Sequence, residues 1–259
     1  MRKTLKVVAF GGGPADAFIK AAGITDSTQQ TAIKTLVNDL NGYGLWSKMK
    51  AIYPMVGGNA TAHSYNLKDT TKFQITWSGG LKHSSTGTIG NGTNGYGNTN
   101  LVPLNDLLDN SCHLSFYSRT NESAGNIWDC GVADDARSYL TMLIKNSSTQ
   151  FRPLAQDFSQ SVISNSDSKG FYITNRTASN ISNGWKNGTK IISPNANSLT
   201  RANLKIFLLS LNYSGTGGAV FYSTKECAFA TIGDGLSDTE AANLYTSIQK
   251  FQTTLSRQV

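Results

Sequence analysis

Ala219–Val259, AVFYSTKECAFATIGDGLSDTEAANLYTSIQKFQTTLSRQV, is the stretch whose reading decides the fold. Within it Cys227, Phe229 and Thr231 alternate with Ala228, Ala230 and Ile232, so both faces of an extended segment are small or apolar. That pattern predicts a strand buried on both sides, in one sheet packed on another. Asp234-Gly235 turns the chain. Ser237 stands three residues ahead of Glu240, the spacing of a capping box, in which each side chain takes a backbone N–H that the first helical turn leaves free. Ala241, Leu244, Tyr245, Ile248 and Leu255 follow at helical spacing. The chain is expected to close as a core strand, a tight turn and a capped amphipathic helix.

The rest of the chain has the composition such an ending needs. It has 259 residues, 39% of them hydrophobic, enough for one large β-sandwich or two modest domains. Charged residues are 15%, against roughly 25% in an average globular protein. Asn, Ser, Thr and Gly fill the gap, which suits a turn-rich β-protein with a neutral polar surface. The net charge of +7 is scattered. Its densest clusters, Met1-Arg-Lys-Thr-Leu-Lys and Lys48-Met-Lys, do not form the block that nucleic-acid-binding tails display, so no nucleic-acid partner is expected. Three cysteines, Cys112, Cys130 and Cys227, are too few for a disulfide framework. They read as small buried hydrophobes, with a Cys112–Cys227 bridge left open. No stretch approaches the roughly 20 apolar residues of a membrane span, and the run from Leu5 to Phe10 is too short for a signal peptide.

Towards the N-terminus, Lys6–Phe10 reads as a short strand and Ala15–Ala22 as a helix opened by Pro14. Gly11-Gly-Gly-Pro lacks the dinucleotide-binding spacing, because Asp16 stands where the third glycine belongs. A second helix starts at Asp26, which with Gln29 forms another capping-box candidate. Its apolar face is Ala32, Ile33, Leu36, Val37 and Leu40, and Asn41-Gly42 is its expected stop. Its opening GITDSTQQ echoes GLSDTEAA of the C-terminal helix, and these two amphipathic helices are expected to pack together on the sandwich or on a neighbour. Strands are expected at Phe73–Trp77, at Cys112–Arg119 with Cys112, Leu114 and Phe116 inward and His113, Ser115 and Tyr117 outward, and at Ile127–Val132, Tyr139–Ile144, Gly170–Asn175 and Lys205–Asn212. Asn187-Gly188 signals a type I′ hairpin. Residues 1–47 are assigned as an N-terminal arm and helices, and residues 48–259 as the β body. The fold class is mainly β: an antiparallel two-sheet jelly-roll sandwich with peripheral helices near both termini.

The run AFATIGDGLSDTEAANLY resembles the closing segment of concanavalin A-like, laminin-G-type jelly-roll domains, and Gly184-Trp-Lys-Asn-Gly-Thr-Lys-Ile-Ile resembles the hairpin those domains place before their last strands. A wider set resembles a family of phage structural proteins: ITDSTQQTAIKTLVNDLNGYGLWSKMKAIYPMVGG, AHSYNLKDT, HSSTGTIGNGTNGYGNT, CHLSFYSRTN and the C-terminal segment from ECAFATIG onward. The resemblance implies a virion component of capsid, tail or fibre, assembled in the host cytoplasm and oligomeric in the particle. It also implies other virion proteins as partners; residues 1–23 fall outside the resemblance and are expected to serve as a protein-specific attachment arm.

The sequence shows no constellation for bond-breaking. There are three glutamates, Glu122, Glu226 and Glu240, and none has the paired carboxylate that glycoside hydrolysis needs. His63, His83 and His113 lack metal-ligand spacing, and Asp134-Asp135 reads as a solvated turn, so no cofactor or metal is expected. The functional alternative on the same fold is a lectin-like, glycan-binding adhesin. Its candidate residues are Tyr96 among Asn94, Asn98 and Asn100, and Trp185 beside Asn183 and Asn187, because an aromatic ring stacks a sugar while neighbouring amides hydrogen-bond it. A cell-surface glycan is then the partner.

Overall fold

The computed structural model describes residues 12–123, 125, 127–135 and 138–259, so the expected strand at Lys6–Phe10 lies outside the described residues. In chain order the elements open with α1 (Pro14–Ala21), α2 (Ser27–Gly42), β1 (Met49–Tyr53), α3 (Ala60–Ser64), β2 (Thr76–Ser78), β3 (Lys82–Ser84), β4 (Gly87–Ile89), β5 (Tyr96–Asn98) and α4 (Pro103–Asp106). The middle is β6 (Cys112–Ser118), β7 (Cys130–Ala133), β8 (Tyr139–Leu143), β9 (Gln150–Asp157), β10 (Ile163–Ser164), β11 (Gly170–Ala178), β12 (Ile181–Lys186) and β13 (Thr189–Ile192). The chain closes with β14 (Phe207–Leu208), β15 (Leu211–Tyr213), β16 (Gly218–Val220), β17 (Glu226–Gly233) and α5 (Asp238–Thr254).

Two sheets face each other, as the alternation predicts. The first runs β13-β12-β11-β6-β17-β4-β3, with β1 also on β17; the second runs β10-β9-β8-β7-β14-β5-β2, with the ribbon β15–β16 attached through β7. All pairings are antiparallel except β15 on β7, Asn212 opposite Val132 and Tyr213 opposite Ala133. Between the sheets lie Cys112, Leu114, Phe116, Cys130, Val132, Leu140, Met142, Phe151, Tyr172, Ala230 and Ile232. The three thiols are free and buried. Burial pushes the Cys112 thiol up to about 12, which keeps it protonated and unreactive.

The outer face of the first sheet is covered by helices. Phe18 of α1, Ile33, Leu36 and Leu40 of α2, and Leu244, Ile248 and Phe251 of α5 join Tyr117, Phe171, Ile173 and Phe229 in one apolar cluster. This corrects the in–out reading of Cys112–Arg119: every residue of β6 is buried, and Tyr117 faces α5 instead of water. It also refines the reading of β17. That strand is covered on both sides, but one cover is helical, and a bulge between Cys227 and Phe229 resets the alternation. Cys227 and Ala230 therefore share the inter-sheet core, while Ala228 and Phe229 face the helices.

The helix caps follow the sequence in part. Ser237 and Glu240 complete the capping box of α5. At α2 the Asp26 carboxylate accepts from the Gln29 N–H at 2.8 Å, but the Gln29 amide oxygen accepts from the Gly57 N–H at 2.9 Å, so it ties the helix to the body instead of closing the box. Helix α2 runs through Asn41-Gly42, and the left-handed residue is Gly44, φ 71°. The Asn187-Gly188 hairpin forms with both residues left-handed, φ 48° and 76°. The Asn187 amide oxygen also accepts from the Phe171 N–H at 2.8 Å, which extends the pairing of β11 past the turn.

Buried polar groups are tied together. His113 Nδ1 lies 2.6 Å from the Asp234 carbonyl, which only accepts, so Nδ1 carries the proton; Nε2 then accepts from the Thr231 hydroxyl at 2.9 Å. The Ser115 hydroxyl completes the chain by donating to Thr231 Oγ1 at 2.6 Å, while Ser115 Oγ accepts from the Thr231 N–H at 2.9 Å. Near the C-terminus the Arg257 guanidinium, fully buried, donates to the carbonyls of Pro54 at 2.6 Å, Met55 at 2.7 Å and Ala228 at 3.1 Å, and to the Gln252 amide oxygen at 2.6 Å. It fastens the end of α5 to β17 and to the exit of β1.

Candidate functional site

On the outer side of the second sheet Trp128, Ala133, Leu143, Leu154 and Leu211 form a smaller buried cluster, and α3 is tied to β2 by the Trp77 indole N–H, which donates to the Ala60 carbonyl at 2.9 Å. Strand alternation sends Cys130, Val132, Leu140 and Met142 into the inter-sheet core, so their neighbours face outward. On this face β5 and β14 pair antiparallel, Phe207 opposite Asn98 and Leu208 opposite Gly97. Gly97 accepts the ring of Trp77 from the inner side; a Cβ there would sit 2.5 Å from it. The flanking Tyr96 is thereby directed outward, where its ring stacks on Phe207 at 4.6 Å between centroids and 22° between planes. The Tyr222 ring lies 6.5 Å from that of Tyr96.

Tyr96 lines an open groove of about 440 Å³, with Phe207 beneath it and Asn203, Lys205, Asn212 and the backbone of Gly217–Ala219 around it. None of the residues lining it is a carboxylate. Lys205 Nζ donates to the Asn100 amide oxygen at 2.9 Å, and the Asn212 amide donates to the Lys205 carbonyl at 2.8 Å. The groove combines an aromatic platform held from behind with neutral amides and one ammonium group, an arrangement that fits hydroxyl-rich or weakly anionic ligands.

Of the residues named from the sequence, Tyr96 is the one at the groove. Asn94 and Asn98 build its loop: the Asn94 amide oxygen accepts from the Asn91 amide at 2.6 Å and from the Gly80 N–H at 3.2 Å, and the Asn98 amide oxygen accepts from the Asn100 N–H at 2.9 Å. Asn100 itself holds Lys205. Trp185 is placed elsewhere. At 3% exposure it packs into the cluster beneath the helices, with Lys190 Nζ 5.6 Å over its ring, so it presents no face to a ligand. The reason is the two-sided burial of the first sheet, which a strand pattern alone does not disclose. Phe207, Asn203, Lys205 and Asn212 were not singled out from the sequence. They fall within the expected strand Lys205–Asn212 or beside it, and the signal was an aromatic inside an amide-rich stretch.

None of the three glutamates lines the groove; Asp106 stands beside it, its carboxylate accepting from the N–H of the lining residue Val102 at 2.8 Å. Glu226 pairs with Arg119 at 3.0 Å and Glu240 with Lys48 at 2.6 Å, while Glu122 accepts from the Thr224 hydroxyl. Asp129 and Asp157 are buried against Lys225 at 3.2 Å and Arg176 at 3.0 Å. Asp134 holds a turn by accepting from the Ser138 N–H at 3.0 Å. Among the described residues no three His, Cys, Asp or Glu side chains form a metal-holding group. His63 and His83, distant in sequence, do meet, Nδ1 to Nδ1 at 3.1 Å, with the Thr88 hydroxyl 2.9 and 3.1 Å from the two rings. His63 Nε2 is buried with no hydrogen-bond partner among the described residues. Desolvation, the neighbouring His83 and Arg257 push His63 down to about 3, so the ring is neutral near pH 7. No helix among the described residues is long and apolar enough to cross a membrane.

No family model matches the chain, and no curated protein matches it. Solved structures do. A mutant of Trypanosoma rangeli sialidase displaying trans-sialidase activity is similar over 86% of this chain and 39% of its own, with TM-score 0.59 and 10% identity. A mutant of HCR/D is similar over 78% and 52%, with TM-score 0.50 and 10% identity. The binding domain of botulinum neurotoxin serotype D covers 78% and 51%, with TM-score 0.49 and 11% identity. The chain thus spans about half or less of each of these structures. The likeness is one of fold: a mainly β, two-sheet, jelly-roll-like sandwich.

Proposed function

We propose that this protein is a non-enzymatic glycan-binding module, an adhesin-like β-sandwich that holds a surface saccharide in the Tyr96 groove. The observation that carries the reading is the Tyr96 ring, backed by Phe207 and set in an amide-rich groove on the outer side of the second sheet. The ring offers a flat apolar surface to the C–H face of a pyranose, and Asn203, Asn212 and Lys205 surround it with donors and acceptors for hydroxyl or carboxyl groups. The sandwich likeness to a sialidase that displays trans-sialidase activity supports a sugar-directed role. The glutamates engaged elsewhere favour binding over turnover. The test is a glycan array probed with wild type and with Tyr96→Ala. Binding of a defined glycan set that is lost in the variant, at unchanged Tm, supports the reading; silence of wild type across a broad array ends it.

The setting we propose is a phage virion, on the strength of the sequence resemblance to phage structural proteins from about residue 24 onward. The module would be carried on capsid, tail or fibre, with other virion proteins as partners and residues 1–47 serving attachment. Peptide mass spectrometry of purified particles checks this directly. An arm deletion should stop before Pro14, because Phe18 is a core residue and removing residues 1–23 would open the helical cluster.

A further inference from the structure

A second cluster of chemistry-bearing side chains lies between α3 and the β3–β4 pair, and none of its residues lines the Tyr96 groove. His63 Nδ1 and His83 Nδ1 approach to 3.1 Å. The Thr88 hydroxyl sits 2.9 Å from the first, 3.1 Å from the second and 3.7 Å from the thioether sulfur of Met55. One small hydroxyl is therefore the meeting point of two imidazole nitrogens and a sulfur. His63, Thr88 and Met55 are buried, while His83 is half-buried and opens the cluster towards solvent.

The geometry is that of a chelating pair. An ion about 2.0 Å from both nitrogens would span their 3.1 Å separation at a bite of about 100°, so the two rings can share it without moving apart. Nothing at His63 Nε2 fixes the tautomer of that ring, since this nitrogen has no hydrogen-bond partner among the described residues. Burial lowers both rings below the usual histidine range, so near pH 7 each is neutral, the form that binds a metal. Met55 is held in the left-handed region at φ 46°, a costly conformation for a residue of its size. Arg257 enforces it by donating to the carbonyls of Pro54 at 2.6 Å and of Met55 itself at 2.7 Å. Backbone strain of this kind gathers at ligand sites.

We infer that His63 Nδ1, His83 Nδ1 and the Met55 sulfur form a binding site for one soft monovalent metal ion, copper(I). The donor set chooses the ion: imidazole together with a thioether suits copper(I), whereas magnesium, calcium and manganese ask for oxygen ligands. Charge chooses it too. Neither ring bonds a carboxylate, and the buried Arg257 guanidinium is near enough to His63 to disfavour further positive charge there, which weighs more heavily on a dication than on a monovalent ion. The site stands apart from the glycan groove and does not depend on it.

The test titrates the full chain, without oxygen at pH 7, against copper(I) held by the chelator bicinchoninate. The inference expects the protein to withdraw one equivalent. In nitrogen-detected NMR the His63 and His83 rings should shift while His113, closed in its own hydrogen bonds, stays in place. Even the outer partners of a metal site are worth roughly 10–100-fold in affinity, so His83→Gln should lose more than about 100-fold and Met55→Leu, which keeps the volume, about ten-fold. Cysteine thiols also take copper(I), so uptake that survives in His83→Gln belongs to them and overturns the site. A wild type that withdraws no copper overturns it as well. Zinc(II) held more tightly than copper(I), or Met55→Leu without effect, overturns the choice of ion and the role of the sulfur. Should His83→Gln fail to fold, the wild-type ring shifts decide: copper(I) that leaves His63 and His83 unmoved rules the site out.

Discussion

At Thr231 a single hydroxyl satisfies two buried partners, His113 and Ser115. Thr231→Val keeps the shape and strands both, so we expect a loss of about 3 kcal/mol by urea unfolding. Arg257→Ala leaves the carbonyls of Pro54, Met55 and Ala228 without their donor. It should cost at least as much, with fluorescence of the folded state unchanged at low denaturant. Neither effect was legible in the sequence. His113 and Thr231 lie on different strands, and Arg257 stands 29 residues or more from the carbonyls it holds, so no local pattern marks it. By contrast Tyr96 was legible, since an aromatic ring flanked by glycine and asparagine in a turn is an exposed ring by default. The same rule misled at Trp185, because the asparagines around it belong to strands and a hairpin that helices cover.

At the level of elements, capping and turn chemistry were the most readable features, because they act over three or four residues. Ser237→Ala should cost about 1 kcal/mol and lower Tm without altering binding. Gly188→Ala should be worse than a helix-cap loss. It combines left-handed backbone with a Cβ 2.7 Å from the Tyr245 ring, so calorimetry should show a clearly larger drop than for Ser237→Ala. The strand Lys205–Asn212 shows where reading by element stops. Its residues are extended, but Leu209 at φ 64° splits them into β14 and β15, one antiparallel and one parallel to the same β7. Periodicity sees side chains and not that kink. Strand β9 was missed for a similar reason: Arg152 and Pro153 interrupt an apolar pattern that is in fact half of the β8–β9 pairing.

Across the whole molecule, pH sensitivity follows from rings buried neutral. Desolvation lowers His113 to about 4, and His63 is lowered to about 3. An unfolded chain protonates these rings near 6.5, so it takes up protons that the folded state refuses. Their contribution is therefore complete above about pH 6.5 and lost progressively as pH falls towards 4. From pH 7 down to pH 5 the proton uptake on unfolding should rise as His63, His113 and the likewise lowered His83 become protonated in the unfolded chain, and the urea midpoint should fall. A midpoint independent of pH in that window would show that the rings are not held neutral. The sandwich itself was legible from alternation. The helical cover of its first sheet was not, because a strand buried under helices and a strand buried under a sheet present the same apolar pattern.

That helical cover gives the molecule a front and a back. Helix α1 begins at Pro14 over the helix-covered first sheet, so a tether engineered onto Pro14 starts on the side away from the Tyr96 groove. Lys205, by contrast, is a reactive amine at the mouth of the front groove. A sensor chip loaded through such a tether should therefore keep its ligand capacity, whereas amine coupling should blind a share of the immobilised molecules.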